Sequence, residues 1–279
     1  MIDPKTFKSE WTKGLSAYLD TKQIAKGKIF TTGLGGSGLV GETLKHAANE
    51  EIVYSKVGSK EKFDWIIAIS YSGNTWETIE VVEKMRRKGT RLLAITSGGK
   101  LEQMADSVIK LPEGMMARDA FPFILGAALS AIGCKAELKD AIDAVKKIQL
   151  KETDAMVRRL SKKVPVIYAS GPMIVAAKRF KQQLNENAKT FAFFSKMPDA
   201  FHNDTEPFFW KNSSFVPVVL GGYPQKMTAK PMPNALILKA GGGSKIKKIV
   251  GAMCALDYVS LRLTEMRKVK RSSSRRYGM

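Results

Sequence analysis

Apolar residues in this chain fall into short unbroken runs that alternate with stretches of helical period. Phe7, Trp11, Leu15 and Tyr18 recur at three- and four-residue intervals, so the chain opens on an amphipathic helix. Residues 28–32 then read as a buried strand running into GLGGSGLVGETLKHAA, a glycine-rich turn followed by a helix. Further strands are predicted at 52–55, 65–70, 91–96 and 107–111, the second of these ending in SYSGNT and the third in SGG. A helix is expected over 75–88, where Trp76, Ile79, Val82 and Met85 lie three apart, and another around 101–105. Asn74 and Glu77 have the spacing of a capping box. The apolar stretch 120–133 is too short to span a bilayer and reads as a buried helix.

Residues 137–163 are helical, charged and poor in large apolar side chains, and a domain boundary is placed inside them, near Leu150. The pattern then restarts, with strands at 164–170, 215–220 and 235–239 and helices at 174–187 and from Lys245 onward, the last after Gly241, Gly242 and Gly243. VIYASG followed by a helix echoes IFTTGLGGSG followed by a helix, a weak internal repeat. Strand–helix alternation on this scale predicts an α/β fold of two doubly wound parallel-sheet domains joined by a helical linker. The domains are drawn at 1–150 and 151–265, with 266–279 as a basic tail in which six cations among three serines cannot pack.

With 44% hydrophobic and 26% charged residues, 279 residues suffice for two folded cores. Two cysteines, Cys134 and Cys254, exclude a disulfide scaffold, and no Cys/His cluster has zinc-ligand spacing. A reduced, cytoplasmic protein with no membrane segment is expected. The formal net charge of +20 draws in phosphorylated metabolites and nucleic acid alike, or is simply a solvated surface.

In open parallel sheets, ligands bind beyond the carboxyl ends of the strands. Three loops there carry unusual residues: Gly35-Gly36-Ser37-Gly38, Ser70-Tyr71-Ser72-Gly73-Asn74-Thr75 and Ser97-Gly98-Gly99. Free N–H groups at a helix start favour an anion, and hydroxyls add neutral donors that wrap phosphate oxygens. Helix capping alone needs one hydroxyl or amide, whereas SYSGNT supplies four. Gly33, Gly35 and Gly38 also fit a dinucleotide fingerprint, but that reading wants an acid closing the second strand, where Tyr54-Ser55-Lys56 stand. Glu186 lies among Lys178, Lys181 and Lys189, the setting of a solvated ion-pair partner, and of the two histidines His46 looks structural while His202 sits in a polar loop.

GGSG together with SYSGNTWET resembles a sugar isomerase (SIS) domain, and residues 27–263 resemble the archaeal-type bifunctional phosphoglucose/phosphomannose isomerases, which consist of two SIS-like halves. The resemblance implies interconversion of glucose 6-phosphate, and mannose 6-phosphate as well, with fructose 6-phosphate, without metal, nucleotide or other cofactor. It implies that Gly36, Ser37, Ser70, Ser72 and Thr75 hold the phosphate and that Arg118 stabilises an enediolate. Glu186 would be the proton-shuttling base, and His202 would open the sugar ring from across a homodimer interface. Two departures stand out. Ala117 replaces the family's proline before the arginine, and no lysine clearly matches the one in the family's last helix, Lys268 and Lys270 being the nearest. Thr264 lies near a threonine linked to dual glucose/mannose specificity. The expected partners are a hexose 6-phosphate and a second copy of the chain, with no specific nucleic acid and no membrane. A phosphosugar-binding regulator and a catalytically inactive SIS protein are the alternatives, the former disfavoured because about 27 residues before the first strand are too few for a DNA-binding domain.

Overall fold

A computed structural model describes residues 3–48, 51–87, 89–210, 214–223, 232–239 and 241–271. The chain divides into two compact units. One consists of Ser9–Asp143 with Ser244–Ile246, and the other of the chain up to Lys8, Ala144–Gly243 and the chain from Lys247. The division falls at 143/144, a few residues ahead of the boundary drawn near Leu150 from sequence.

The chain opens on α1 (Pro4–Ser16), which buries Trp11 and Leu15 as its period predicts. In the first unit β1 (Ile29–Thr32) leads to α2 (Gly35–Ala47), β2 (Ile52–Tyr54) and β3 (Trp65–Ile69). There follow α3 (Trp76–Met85), β4 (Arg91–Thr96), α4 (Gly99–Met104), β5 (Ser107–Lys110) and α5 (Phe121–Ala131). The five strands are parallel in the order β2-β1-β3-β4-β5, with Ile29 opposite both Ile52 and Trp65 and Thr96 opposite Lys110. Residues alternate between the sheet's faces. Phe30, Ile66, Ala68, Leu92 and Ala94 meet Val81, Val82, Met85 and Leu101 of α3 and α4 on one face. On the other face α2 packs on α5, with Gly41 pressed against Thr31. Because both faces are covered, β1 and β3 are buried at every position, and this is why their sequences are continuous apolar runs. All eleven residues of α5 are buried, as expected for 120–133. Among the described residues no helix is long and apolar enough to cross a membrane.

After α6 (Lys135–Lys147) and a 3-10 turn at Leu150–Thr153, the second unit continues with α7 (Asp154–Leu160), β6 (Val164–Ala169) and α8 (Met173–Glu186). It is completed by β7 (Phe193–Lys196), β8 (Phe215–Leu220), β9 (Leu236–Leu238) and α9 (Lys245–Met266). Its parallel order, β7-β6-β8-β9, reproduces the first sheet with β6 in the place of β1 and, among the described residues, lacks only the outermost strand. The echo of IFTT in VIYA is therefore a repeat of topology. β7 was not anticipated; its phenylalanines lie on an edge strand with Phe193 exposed, so no buried period marks it.

The polar interior of this unit lies between α8 and α9. Arg179 donates through Nε (3.1 Å) and Nη2 to Oδ2 of Asp257, both residues being buried. Asn187 donates to Gln183 Oε1 (2.7 Å) and Ser260 Oγ (3.0 Å). Thr264 is buried and donates to the Ser260 carbonyl, so its hydroxyl serves the helix. The reading of 266–279 as unpackable needs correction at its start. The Arg267 guanidinium donates to the Leu160 and Ser161 carbonyls (3.1 and 3.0 Å) and to Thr190, and Arg271 Nε donates to Asn187 Oδ1 (3.2 Å). Neutral backbone and side-chain acceptors, invisible to a charge count, accommodate these cations. Residues 272–279 lie outside the described residues.

Candidate functional site

In the first sheet the strand order reverses between β1 and β3, so the loops that follow them flank a crevice at the carboxyl edge. Both sequence-selected loops lie there. They abut: a Cβ on Gly33 would stand 2.7 Å from the Ile69 carbonyl oxygen. The glycine-rich motif is less a turn than the first turn of a helix, since Gly35, Gly36, Ser37 and Gly38 are the opening residues of α2. Leu34 caps that helix without a side-chain hydrogen bond, and Gly36 and Ser37 are half-buried at the end that attracts anions. Gly38 is required by packing, because a side chain there would strike the Tyr54 hydroxyl. That hydroxyl donates to the Gly33 carbonyl (3.2 Å), and its partial burial pushes its pKa up. Tyr54 thus braces the loop from the position where a dinucleotide fold would carry an acid.

The second loop turns through Gly73, whose φ of +67° and contact with the Gly98 carbonyl leave no room for a side chain. Gly73 N–H donates to Ser70 Oγ (3.2 Å), and the Ser70 and Thr75 hydroxyls share a 2.9 Å hydrogen bond. Ser70 is only 3% exposed and Thr75 half-buried, while Ser72 is exposed and accepts from Asn74 N–H (3.3 Å). A shared bond between two hydroxyls consumes one O–H. When Ser70 donates, the Thr75 O–H is left for a ligand. Thr75 is also the N-cap of α3 and makes no side-chain capping bond. The capping box expected from Asn74 and Glu77 does not form, because Asn74 Oδ1 instead accepts from Lys100 N–H (2.9 Å).

Arg118 follows β5 on the same edge and is buried, with Nη2 donating to the Met116 sulfur (3.0 Å). Sequence reasoning gave Tyr71 no role of its own. Yet the Tyr71 hydroxyl donates to the Pro112 carbonyl and accepts from Met115 N–H, both at 2.8 Å. The Tyr71 carbonyl meanwhile accepts from Ser97 N–H (2.9 Å) and Ser97 Oγ (2.6 Å). One residue therefore ties together the loops after β3, β4 and β5, and the third loop, SGG, spends its hydroxyl on that tie. The signal was Tyr71 itself, an aromatic embedded in a hydroxyl-rich turn.

The other two sequence-selected residues belong to the second unit, and the fold does not bring them together within it. Glu186 is the last residue of α8, at the amino end of that sheet, and the Lys189 ammonium donates to its carbonyl (2.9 Å). His202 closes the 3-10 turn Asp199–His202 that follows β7, at the carboxyl end. The six residues of β6 between those ends span about 20 Å.

Residues 24–133 match the family described as SIS domain, and residues 150–273 match the bacterial phospho-glucose isomerase C-terminal SIS domain. A D-glucosamine-6-phosphate 4-epimerase of Sulfolobus acidocaldarius is 32% identical over 87% of this chain and 84% of its own length. A bifunctional phosphoglucose/phosphomannose isomerase of Thermoplasma volcanium is 30% identical over 87% of this chain and 86% of its own. The chain belongs to this tandem-SIS family. The fold agrees: the C-terminal domain of glucosamine-fructose-6-phosphate aminotransferase from Francisella tularensis superposes with a TM-score of 0.71 over 97% of both chains, at 13% identity. A SIS match in each half agrees with the duplicated sheet order.

Proposed function

We propose that the protein is a phosphosugar aldose–ketose isomerase that interconverts glucose 6-phosphate, and mannose 6-phosphate as well, with fructose 6-phosphate. The observation that carries this reading is the pair of abutting loops at the switch point of the first sheet. Ser37 and Gly36 on the first turn of α2, with Ser70, Ser72 and Thr75 before α3, offer hydroxyl and backbone donors to a phosphate dianion without a committed positive charge.

In this reading the ring form binds first and His202 moves a proton to the ring oxygen as the C1–O5 bond opens. Glu186 then takes the proton from C2 of the open-chain aldose, giving a cis-enediolate whose charge Arg118 stabilises. The O2 hydroxyl proton passes to O1 and the carbon proton returns to C1, forming the ketose, so one carboxylate serves both carbons and nothing is oxidised or reduced overall. Metal or nucleotide has no part in this scheme. Placement of Glu186 and His202 at opposite ends of one sheet supports the view that each site takes its histidine from a second copy.

A second reading is favoured by the relative that acts as a glucosamine-6-phosphate 4-epimerase. It keeps the phosphate cradle and moves the chemistry to C4. Incubation with each sugar phosphate in D2O, followed by NMR, separates the two. Isomerisation places deuterium at C1 or C2 and yields fructose 6-phosphate from glucose 6-phosphate. Epimerisation instead turns glucosamine 6-phosphate into its C4 epimer and leaves glucose 6-phosphate untouched. In the isomerase, Glu186→Gln abolishes turnover and exchange while fructose 6-phosphate binding stays nearly unchanged; retained turnover would remove Glu186 from the mechanism.

A further inference from the structure

The second unit carries a cleft that the phosphosugar chemistry does not use and that shares no residue with the cradle. It lies at the amino ends of β6 and β8 and encloses about 810 Å³. Its two walls differ in chemistry. One is the end of α7 and the turn into β6, bearing Arg158, Arg159, Lys162 and Lys163; the other is aromatic, with Phe209 and Trp210 at its rim. Among the described residues lining it there is no acid. Trp210 is 78% exposed and Phe209 44%.

Arg159 reaches over to the Asn234 carbonyl and braces the cleft, while Arg158 and Lys162, four residues apart, are exposed. The carbonyls at the end of α7, which would repel an anion, are covered by Arg267 through Leu160 and Ser161. The cleft therefore combines a strong positive field with bare aromatic faces, and its volume suits a small molecule rather than a single ion. A second copy docked cleft to cleft would set cations against cations, and an apolar ligand would leave them uncompensated. A ligand that satisfies both walls needs a flat aromatic system and several negative charges.

We propose that this cleft binds a nucleoside polyphosphate, the base stacked on Trp210 and the phosphates held by Arg158 and Lys162. Calorimetric titration of the full chain with ATP, adenosine, inorganic tripolyphosphate and a short single-stranded oligonucleotide tests it. ATP is expected to saturate, with adenosine and tripolyphosphate each binding about tenfold more weakly or worse. Trp210→Ala should weaken ATP about tenfold while leaving tripolyphosphate unaffected, and Lys162→Glu should weaken both. Both side chains are exposed, so the variants should melt like the parent, a point checked by circular dichroism. Tripolyphosphate binding as tightly as ATP would reduce the cleft to a basic surface. Undiminished ATP binding by Trp210→Ala would place the nucleotide elsewhere. An oligonucleotide that outcompetes ATP and weakens steeply with salt would assign the surface to nucleic acid instead. Each of these three outcomes overturns the proposal.

Discussion

Tyr71 shows how the proposed cradle is held together by a residue to which no ligand contact is assigned. Its hydroxyl holds the 112–115 segment leading to Arg118, and its carbonyl holds Ser97. Tyr71→Phe keeps the ring and deletes both hydroxyl bonds, so the cradle loop should persist while Arg118 loses its fixed approach. Steady-state kinetics are expected to show kcat lowered about tenfold with KM changed little, the pattern of an interaction made in the transition state. A rise in KM alone would mean that Tyr71 supports phosphate binding and not Arg118. His46, by contrast, matters for stability. Burial, and then Lys245 and Lys45, hold its pKa below the ordinary 6.5. The unfolded chain therefore binds the proton more readily, so this contribution is present above about pH 6.5 and is lost as the pH falls below it. Thermal melts at pH 7.5 and 5.5 should show a smaller acid-induced drop for His46→Gln than for the parent. The position of the hydroxyl-rich loop after β3 was legible because hydroxyls crowd one turn. Tyr71 and Asn74 were not, since their partners are backbone groups more than twenty residues away.

Among elements, the strands covered on both faces were the easiest to read, and β4 and β8 fall on the expected residues because burial on two sides enforces an unbroken apolar run. β7 escaped because an exposed edge imposes no such pattern. The contact between α8 and α9 escaped for a different reason: Arg179 and Asp257 lie 78 residues apart and each looks like a surface charge in its own helix. Buried together, they make the junction sensitive to the loss of either partner. Asp257→Ala should take from the buried Arg179 cation its carboxylate and cost about 3–5 kcal/mol in urea unfolding, whereas Arg179→Met with Asp257→Leu should recover most of it. A double variant as unstable as the single would show that shape, not charge, dominates this contact. Since α8 ends on Glu186, the same substitutions should lower activity in step with how far they loosen that helix end.

At the scale of the whole molecule, the two sheets match in strand order and differ in the side chains at their ends. The first carries hydroxyls and Arg118 at its carboxyl edge, and the second offers an acid at one end of its sheet and a histidine at the other. A site that needs both Glu186 and His202 is then met most simply by two chains, each lending His202 to the other. Subunit mixing decides this. Glu186→Gln and His202→Ala homodimers should each be inactive. After unfolding and refolding together in equal amounts, about half of the dimers are mixed, and each mixed dimer holds one site with Glu186 from one chain and His202 from the other. Activity should therefore return to about a quarter of the parent's, with kcat per restored site unchanged. Were the histidine supplied by the same chain as the glutamate, every site in the mixture would lack one of the two and no activity would return, whatever the ratio of subunits.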